Sequence, residues 1–544
     1  MGTDPLRFPE VDYSSVQNDF DGVNNAPNYA NRRAFAALKD DGSITAWGHS
    51  DWGGASAPSG SGYTKIYSNA RAFAALKADG SITAWSNPNY GGTGAPSGSG
   101  YTKIYSTKDA FAALKADGSI AVWGGAGTWD APSDSGYTKI YSNTRAFAAL
   151  KADGSITAWG GIGYKGSSGG IGAPSDSGYT KIYSTQYAFA ALKADGSITV
   201  WGGAGTWGAP SDSGYTKIYS TKDAFAALKT DGSITVWGDT NHGGTGAPTD
   251  SGYTEIYSNR HAFAALKADG SITAWGYSYW GGTGAPSDSG YTKIYSNAYA
   301  FAALKADGSI TTWGDIKSGG TNAPTDKGYT KIYSNLYAFV ALKADGSITA
   351  WGAPGWGSTS APADKGYIKI YSNEGAFTAV KADGSIRTWG NPEYGGAYAT
   401  GYNLALGKPA TESSTYPYSI LVAASYAVDG DTDGEFLNGS TTHTNIEQGA
   451  WWQVDLGSKK NINEIIIYNR IDCCANRLSN YQVSISDKAD FSIHTYQQDF
   501  HVAPNPKTNI KLDAPGKQGR YVRIQLLDKN YLSLSEVQVI GVDL

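Results

Sequence analysis

Two arginines seven positions apart enclose an aspartate and the chain's only two cysteines in Asn-Arg-Ile-Asp-Cys-Cys-Ala-Asn-Arg, residues 469–477. His443, in Ser-Thr-Thr-His-Thr-Asn, lies 27 positions before Arg470. A guanidinium holds its N–H donors in a rigid planar fork and stays charged at physiological pH, and an imidazole adds one more donor or acceptor. Such a set can read hydroxyl groups held in one orientation. Asp472, with one residue between it and Arg470, can hold a fork in place. Taken singly, each arginine reads as a solvated surface charge and His443 as a loop histidine with a local hydrogen bond. The cysteines are harder to place. Adjacent Cα atoms are about 3.8 Å apart, below the roughly 4.4 Å at which ordinary disulfides begin. A bridge between Cys473 and Cys474 would close no loop and bring no chain-entropy stabilisation. Two reduced thiols, suited to a cytosolic protein, are the other reading.

Upstream of His443, Ala-Val-Asp-Gly-Asp-Thr-Asp-Gly brings Asp429, Asp431 and Asp433 close together in the chain. These are hard oxygen ligands of the kind Ca²⁺ prefers, and an Asp/Gly turn needing no metal is the alternative. Asn438-Gly439-Ser440 forms an N-glycosylation sequon on the same stretch. No pair of carboxylates, Ser-His-Asp set, zinc-type Cys/His cluster or phosphate-binding Gly loop stands out, so an enzyme is not expected.

The rest of the chain must position these residues, and most of it is a tandem array. A unit reads GYTKIYSNxxAFAALKADGSITAWG followed by a Gly-rich stretch ending in Ala-Pro, and its tryptophan recurs from Trp47 to Trp389 in ten units at a modal spacing of 38. The runs YTKIYS, AFAALK and SITAWG are rich in β-branched and aromatic residues, which predicts three strands per unit. Asp-Gly between the second and third predicts a two-residue hairpin turn. One small sheet cannot bury both faces alone, so the units must stack around a ring or along a solenoid. With 71 glycines, a net charge of -5 and no Lys/Arg run, the 544-residue chain lacks the footprint of a nucleic-acid binder. No stretch reaches the roughly 18 apolar residues of a membrane helix, and the opening MGTDPLRFPE has no apolar signal-peptide core, as though a leader had been removed.

Along the array the strands barely change, whereas the two residues after Tyr-Ser-Asn or Tyr-Ser-Thr and the segment after Trp-Gly vary. Five or six positions past the repeat tryptophan, eight of ten units carry Trp or Tyr: Trp52, Tyr90, Trp129, Tyr164, Trp207, Trp280, Trp356 and Tyr394. They read either as packing between units or as a circle of sugar-stacking platforms acting through avidity.

The phrase AFAALKADGSITAWG resembles the repeats of regulator-of-chromosome-condensation-type β-propellers over about residues 28 to 400. The units are shorter than that family's blades and number ten instead of seven. After them, ALGKPAT, WWQVDLG, His443, Arg470-x-Asp472, the cysteine pair and Arg477 together resemble the F-type lectins, the fucolectin family built on a discoidin-like jelly roll. That resemblance implies that His443, Arg470 and Arg477 hydrogen-bond the ring oxygen and hydroxyls of L-fucose, with Asp472 supporting. It implies that Phe436 and Tyr418 pocket the sugar's methyl group. It makes Cys473–Cys474 a disulfide presenting a flat sulfur surface to the sugar, and so implies an oxidising, extracellular compartment. It also implies Ca²⁺ held by the carbonyl of Tyr426 and by Asp429, Asp431, Ser440, Ser535 and Glu536, some through backbone oxygens.

The expectation is an all-β protein: an N-terminal segment (1–27), a ten-repeat propeller-like domain (28–395), a linker (396–402) and an F-type lectin domain (403–544). WWQVDLG, NEIIIYNR, NYQVSIS and RYVRIQLL are expected as separate strands of that last domain. The expected function is Ca²⁺-dependent binding of fucosylated glycans by a secreted protein, with no nucleic acid and no membrane insertion; a homo-oligomer is compatible with this. Two other classes stay open on the residues: an adhesion or structural repeat protein that the lectin domain merely tethers, and a toxin or enzyme fragment whose catalytic portion lies elsewhere.

Overall fold

The computed structural model describes residues 6–7, 30–39, 41–161, 168–382, 386–396, 402–417, 422–512 and 516–543. It divides into two compact units, Met1–Ala397 and Tyr398–Leu544. Among the described residues no helix is long and apolar enough to cross a membrane.

Among its described residues the first unit contains ten three-stranded antiparallel sheets. In the second of them Tyr63–Ser68, Ala72–Lys77 and Ile82–Ser86 follow one another. The middle strand is buried from Ala72 to Leu76. Its alanines leave room for the next sheet, and one core cluster joins Tyr67, Ala74 and Leu76 of this sheet to Ile104, Phe111 and Trp123 of the following one. Every core is thus shared across a boundary, the reason no unit stands alone. The indole of Trp85 stacks on Phe73 with ring centres 5.1 Å apart, and its N–H donates to the carbonyl of Gly53 in the preceding unit at 3.1 Å.

The hairpin turn differs from expectation. Three residues, Ala78 to Gly80, lie within it: the N–H of Lys77 donates to Ser81 O and that of Gly80 to Lys77 O, both at 3.0 Å. Of these three only Gly80 has positive φ, +79°. Asp79 stays in the ordinary region because its carboxylate accepts from the N–H of Ser81 at 2.9 Å and from its hydroxyl at 2.7 Å, an Asx turn that glycine closes. A second difference lies at the N-terminus. The first repeat has no YTKIYS phrase, and Leu6–Arg7, from the segment expected to stand apart, pairs with Ala34–Lys39 to complete its sheet.

The residue after each Tyr-Ser-Asn or Tyr-Ser-Thr, and after Ala30-Asn31 in the first unit, links one sheet to the next. Arg32 N–H donates to Ala70 O, Ala70 to Lys108, Lys108 to Thr144, and the series runs through all ten units until Glu374 N–H donates to Arg32 O at 3.3 Å. The last hydrogen bond returns to the first unit. Hydroxyls reinforce it, as where Ser106 donates to the carbonyl of Ser68 at 2.8 Å.

In the second unit the strands are β1 (Tyr402–Asn403), β2 (Ala410–Glu412), β3 (Glu447–Gln448), β4 (Trp451–Tyr468), β5 (Tyr481–Ser486), β6 (Tyr496–Phe500), β7 (Lys507–Lys511), β8 (Lys517–Leu526), β9 (Lys529–Asn530) and β10 (Glu536–Asp543). WWQVDLG and NEIIIYNR, expected as separate strands, are one 18-residue strand, β4. Its register against β8 shifts between Asp455 and Lys460, and Gly457 there takes φ +86°. The bulge bends the strand so that it pairs with β2 and β8 before the shift, and after it keeps β8 from Lys460 to Ile462 while taking β7 and β10 as partners. Inward residues such as Trp452, Val454, Ile465, Ile467, Tyr481 and Val522 form the core of this all-β fold.

Candidate functional site

The end of β4 delivers Asn469 and Arg470 into a loop that the neighbouring backbone fixes on several sides. The Asn469 side chain donates to Ala475 O and Pro504 O, each at 3.0 Å, and its carbonyl oxygen accepts from Arg470 N–H. Ile471 N–H donates to Gly434 O at 3.0 Å. A Cβ on Gly434 would lie 2.8 Å from Asn469 O, so only glycine lets the two loops meet. Arg470 is nearly buried, and Asp472 grips it bidentately: Nε to Oδ1 at 2.5 Å and Nη2 to Oδ2 at 2.7 Å. The guanidinium holds the Asp472 carboxyl below its ordinary pKa. Its charge lies 4.3 Å from the ring centre of Phe436.

Cys473 and Cys474 are bonded to each other. Cys474 takes φ +60° and starts the 3-10 turn Ala475–Leu478, where Arg477 N–H donates to Cys474 O at 3.0 Å. That turn carries Arg477 back toward His443. Arg477 Nη1 lies 3.1 Å from His443 Nε2, and His443 Nδ1 lies 2.8 Å from Thr444 O. The carbonyl can only accept, which assigns the proton to Nδ1 and leaves Nε2 as an acceptor for the guanidinium. His443 is 5 % exposed. Burial lowers its pKa, and Arg477 and Arg470 act in the same direction, so the ring is neutral. His443, Arg470, Asp472, Arg477, Phe436 and the cysteine pair therefore form one connected cluster.

Two residues of this cluster were not singled out from the sequence. Tyr416 lies with its ring centre 4.6 Å from that of His443. Tyr531 lies 5.2 Å from the imidazole and 4.6 Å from the Arg477 guanidinium. Tyr416 stands in the same Tyr-Pro-Tyr as Tyr418, which lies outside the described residues, and an aromatic there was the available signal. Nothing in Asn-Tyr-Leu-Ser marks Tyr531.

The acidic loop turns on its own side chains: Asp431 N–H donates to Asp429 Oδ1 and Asp433 N–H to Asp431 Oδ1, each at 2.9 Å. Ser535 Oγ donates to Asp433 O at 3.1 Å and Ser440 Oγ to Glu435 O at 3.1 Å. Tyr426 N–H donates to Ala423 O at 3.0 Å. Glu536, at the start of β10, is 0 % exposed. One of its oxygens accepts from Gly430 N–H at 3.3 Å, and the other, Oε1, is buried with no hydrogen-bond partner. Burial and, after it, the Asp429 carboxylate push the Glu536 carboxyl up to about 9, and burial raises Asp429 as well. Among the described residues no three His, Cys, Asp or Glu side chains are grouped to cage an ion by themselves.

In the array the aromatic positions divide. Trp52 and Tyr394 are buried, and Tyr90 and Trp356 pack against the shared cores. Trp280 is half-buried against Tyr277 and His261, with ring centres at 4.5 and 4.2 Å. Trp129 and Trp207 are open, at 51 % and 74 % exposure. Tyr164 lies outside the described residues.

Residues 426–524 match the family model of the NedA-like, galactose-binding domain. The chain is 30% identical over 157 residues to the Fucolectin of Anguilla anguilla, covering 26% of this chain and 91% of that protein. It is 31% identical over 139 residues to Fucolectin-6 of Anguilla japonica, covering 25% and 74%. It is 29% identical over 118 residues to the Pentraxin fusion protein of Xenopus laevis, of which it spans 28% with 21% of its own length. Among solved structures, the lectin domain of lectinolysin complexed with Lewis B antigen is 40% identical, covering 26% of this chain and 96% of that one at a TM-score of 0.24. Through its C-terminal unit, the chain belongs to the fucolectin family.

Proposed function

We propose that this protein is a lectin that binds L-fucose-bearing glycans at His443, Arg470 and Arg477, with the repeat array as its scaffold. The observation that carries this reading is the convergence of one neutral imidazole and two guanidinium groups beside the Cys473–Cys474 bridge, whose Cys473 is exposed, and a half-buried Phe436. A deoxyhexose offers an edge of vicinal hydroxyls, an apolar face and a methyl group. The guanidinium forks donate to hydroxyl and ring oxygens, and His443 Nε2 accepts from a hydroxyl once Arg477 turns its donor to the sugar. Asp472 keeps Arg470 from rotating away, so little ordering is needed on binding. The Cys473–Cys474 bridge gives the ring face a flat support, and Phe436 borders the methyl group. The fucolectins of Anguilla support this sugar class.

The residues fit a Ca²⁺ ion. Glu536 is a buried carboxylate with an orphaned oxygen, Asp429 is beside it, and the donors are all oxygen. Glu536, Asp429, Asp431 and carbonyls of the loop that includes Tyr426, together with Ser440 and Ser535, would hold it. When bound, the ion offsets the buried negative charge and ties the loop carrying Phe436 to β10. We further read the hydrogen-bonded cycle of ten sheets as a propeller-like ring of the regulator-of-chromosome-condensation type. Each sugar hydrogen bond replaces one to water and yields about 1 kcal/mol net, so a single site is weak and useful avidity comes from multivalent display.

Retention of the full chain on fucose-agarose tests the reading. Retention should be lost in EDTA and in Arg477→Ala, whose side chain lies on the surface of Tyr531 and supports no core. A correctly melting Arg477→Ala that is still retained would place the site elsewhere.

A further inference from the structure

The variable pair after each Tyr-Ser-Asn or Tyr-Ser-Thr is one of the two parts of the array that duplication has not kept uniform, and it carries charge. The first member of each pair forms the hydrogen-bonded cycle. At the spacing of hydrogen-bonded neighbours, about 4.8 Å, ten such residues close on a circle about 15 Å across. Four of them are cations, Arg32, Lys108, Lys222 and Arg260, and one is an acid, Glu374. They converge: Arg32 Nε lies 3.2 Å from Glu374 Oε1, and Arg260 and Lys108, from other units of the cycle, also act to hold the Glu374 carboxyl down against its burial. In a chain of net charge -5, one carboxylate among four cations concentrates the opposite sign at one place.

In several units the second member of the pair packs on the aromatic of the turn that follows the repeat tryptophan, as His261 does on Trp280 and Tyr337 on Trp356. Asparagine side chains of Tyr-Ser-Asn hold the two together: Asn69 donates to Tyr90 O at 2.6 Å, and Asn335 to Trp356 O at 2.6 Å. Arg33 and Arg71 flank Trp52, with guanidinium carbons 5.1 and 4.3 Å from the indole centre. Arg71 also lies 4.7 Å from the ring of Tyr90, and Arg33 4.9 Å from that of Tyr394. From Tyr394 the contacts continue through Trp356 and Tyr337 to Tyr299 at 5.4, 4.5 and 5.4 Å. Among the described residues the Arg71 side chain meets two aromatic faces and no carboxylate, whereas Arg33 Nη1 lies 3.7 Å from Oε2 of Glu393, an exposed carboxylate that an incoming anion must displace. A guanidinium stacked by its face keeps its N–H edge for an acceptor.

We propose that this end of the array binds an acidic saccharide, a glycan residue bearing carboxylate or sulfate, with its charged group on Arg71 and Arg33 and its sugar ring on the half-buried rings of Trp356 and Tyr337. Pyranose faces stack on aromatic rings, and carboxylate or sulfate oxygens match the guanidinium edge. A nucleic acid offers similar groups, but the overall negative charge and the lack of a basic run argue against it.

The test titrates the full chain with trigalacturonate, a sulfated trisaccharide and neutral galactotriose, each in excess free L-fucose so that the C-terminal site is filled. At least one of the acidic sugars should bind at least about tenfold more tightly than galactotriose, with affinity falling as salt rises. Which of the two binds better separates carboxylate from sulfate. Arg33→Gln/Arg71→Gln should lose about tenfold or more of that affinity while retention on fucose-agarose is unchanged. Equal binding of the neutral sugar, no binding of either acidic one, tighter binding of a short single-stranded DNA, or unchanged affinity in the double variant would each overturn the proposal. If the double variant melts early, the neutral-sugar comparison and the salt dependence of the unaltered chain decide.

Discussion

Replacing Asp472 by asparagine removes the clamp on Arg470 and leaves every sugar-facing group in place. Both oxygens of Asp472 are used, at 2.5 and 2.7 Å, and the two side chains are only 10 % and 21 % exposed. The pair is therefore not a solvent-screened surface bridge of negligible worth. Asparagine keeps one acceptor and turns an amide donor toward a guanidinium donor, so one charge-assisted hydrogen bond, about 1.5–3 kcal/mol, is lost. The C-terminal unit should be destabilised by about 2 kcal/mol in thermal melting. Arg470 must then be ordered by the sugar itself, which should raise the Kd for L-fucose about tenfold or more in calorimetric titration. A double-mutant cycle with Arg470→Gln should give a coupling of about 1.5–3 kcal/mol. An Asp472→Asn variant that binds fucose as the unaltered chain does, with coupling near zero, would refute the positioning role.

Three further outcomes are expected. The folded-state pKa of His443 lies below the ordinary 6.5, so the neutral ring's contribution to stability is complete above about pH 6.5 and is lost as pH falls through the folded value. Fucose binding should weaken over the same acid window, and His443→Gln, titrated in parallel, should lose that dependence. Phe436→Ala removes a ring that touches Arg470 and, on the proposed reading, would border the sugar methyl, so competition assays should show the preference for L-fucose over L-galactose shrinking by about 1 kcal/mol. Gly80→Ala puts a Cβ 2.5 Å from the backbone nitrogens of Gly100 and Tyr101 at φ +79°; it should lower the array's melting transition by about 1–3 kcal/mol and leave fucose binding unaltered.

The resemblance to the F-type lectin motif singled out His443, Arg470, Asp472 and Arg477 as one set, and the chain brings them together where Arg470 leaves β4 and Arg477 sits on the 3-10 turn Ala475–Leu478. Tyr531 was not legible, because it reaches the cluster from a strand connection 88 positions after His443, and long-range packing of a lone aromatic leaves no local pattern. Three strands per repeat could be read from β-branched and aromatic runs. The strand supplied by Leu6–Arg7 could not, since it shares no phrase with YTKIYS. WWQVDLG and NEIIIYNR read as two separate strands, and the register shift beside Gly457 keeps them one continuous strand, β4, instead. The split among the repeat aromatics, buried at Trp52 and open at Trp207, depends on the variable pairs beside them and on neighbouring sheets, which a single repeat does not encode.

The most direct measurement is a crystal structure of the full chain grown with L-fucose and Ca²⁺. The account predicts a pyranose whose oxygens meet His443, Arg470 and Arg477, whose methyl group faces Phe436 and whose ring rests on Cys473–Cys474, with an ion on Glu536. Fucose bound away from these residues, or an unfilled site at saturating sugar, would contradict it.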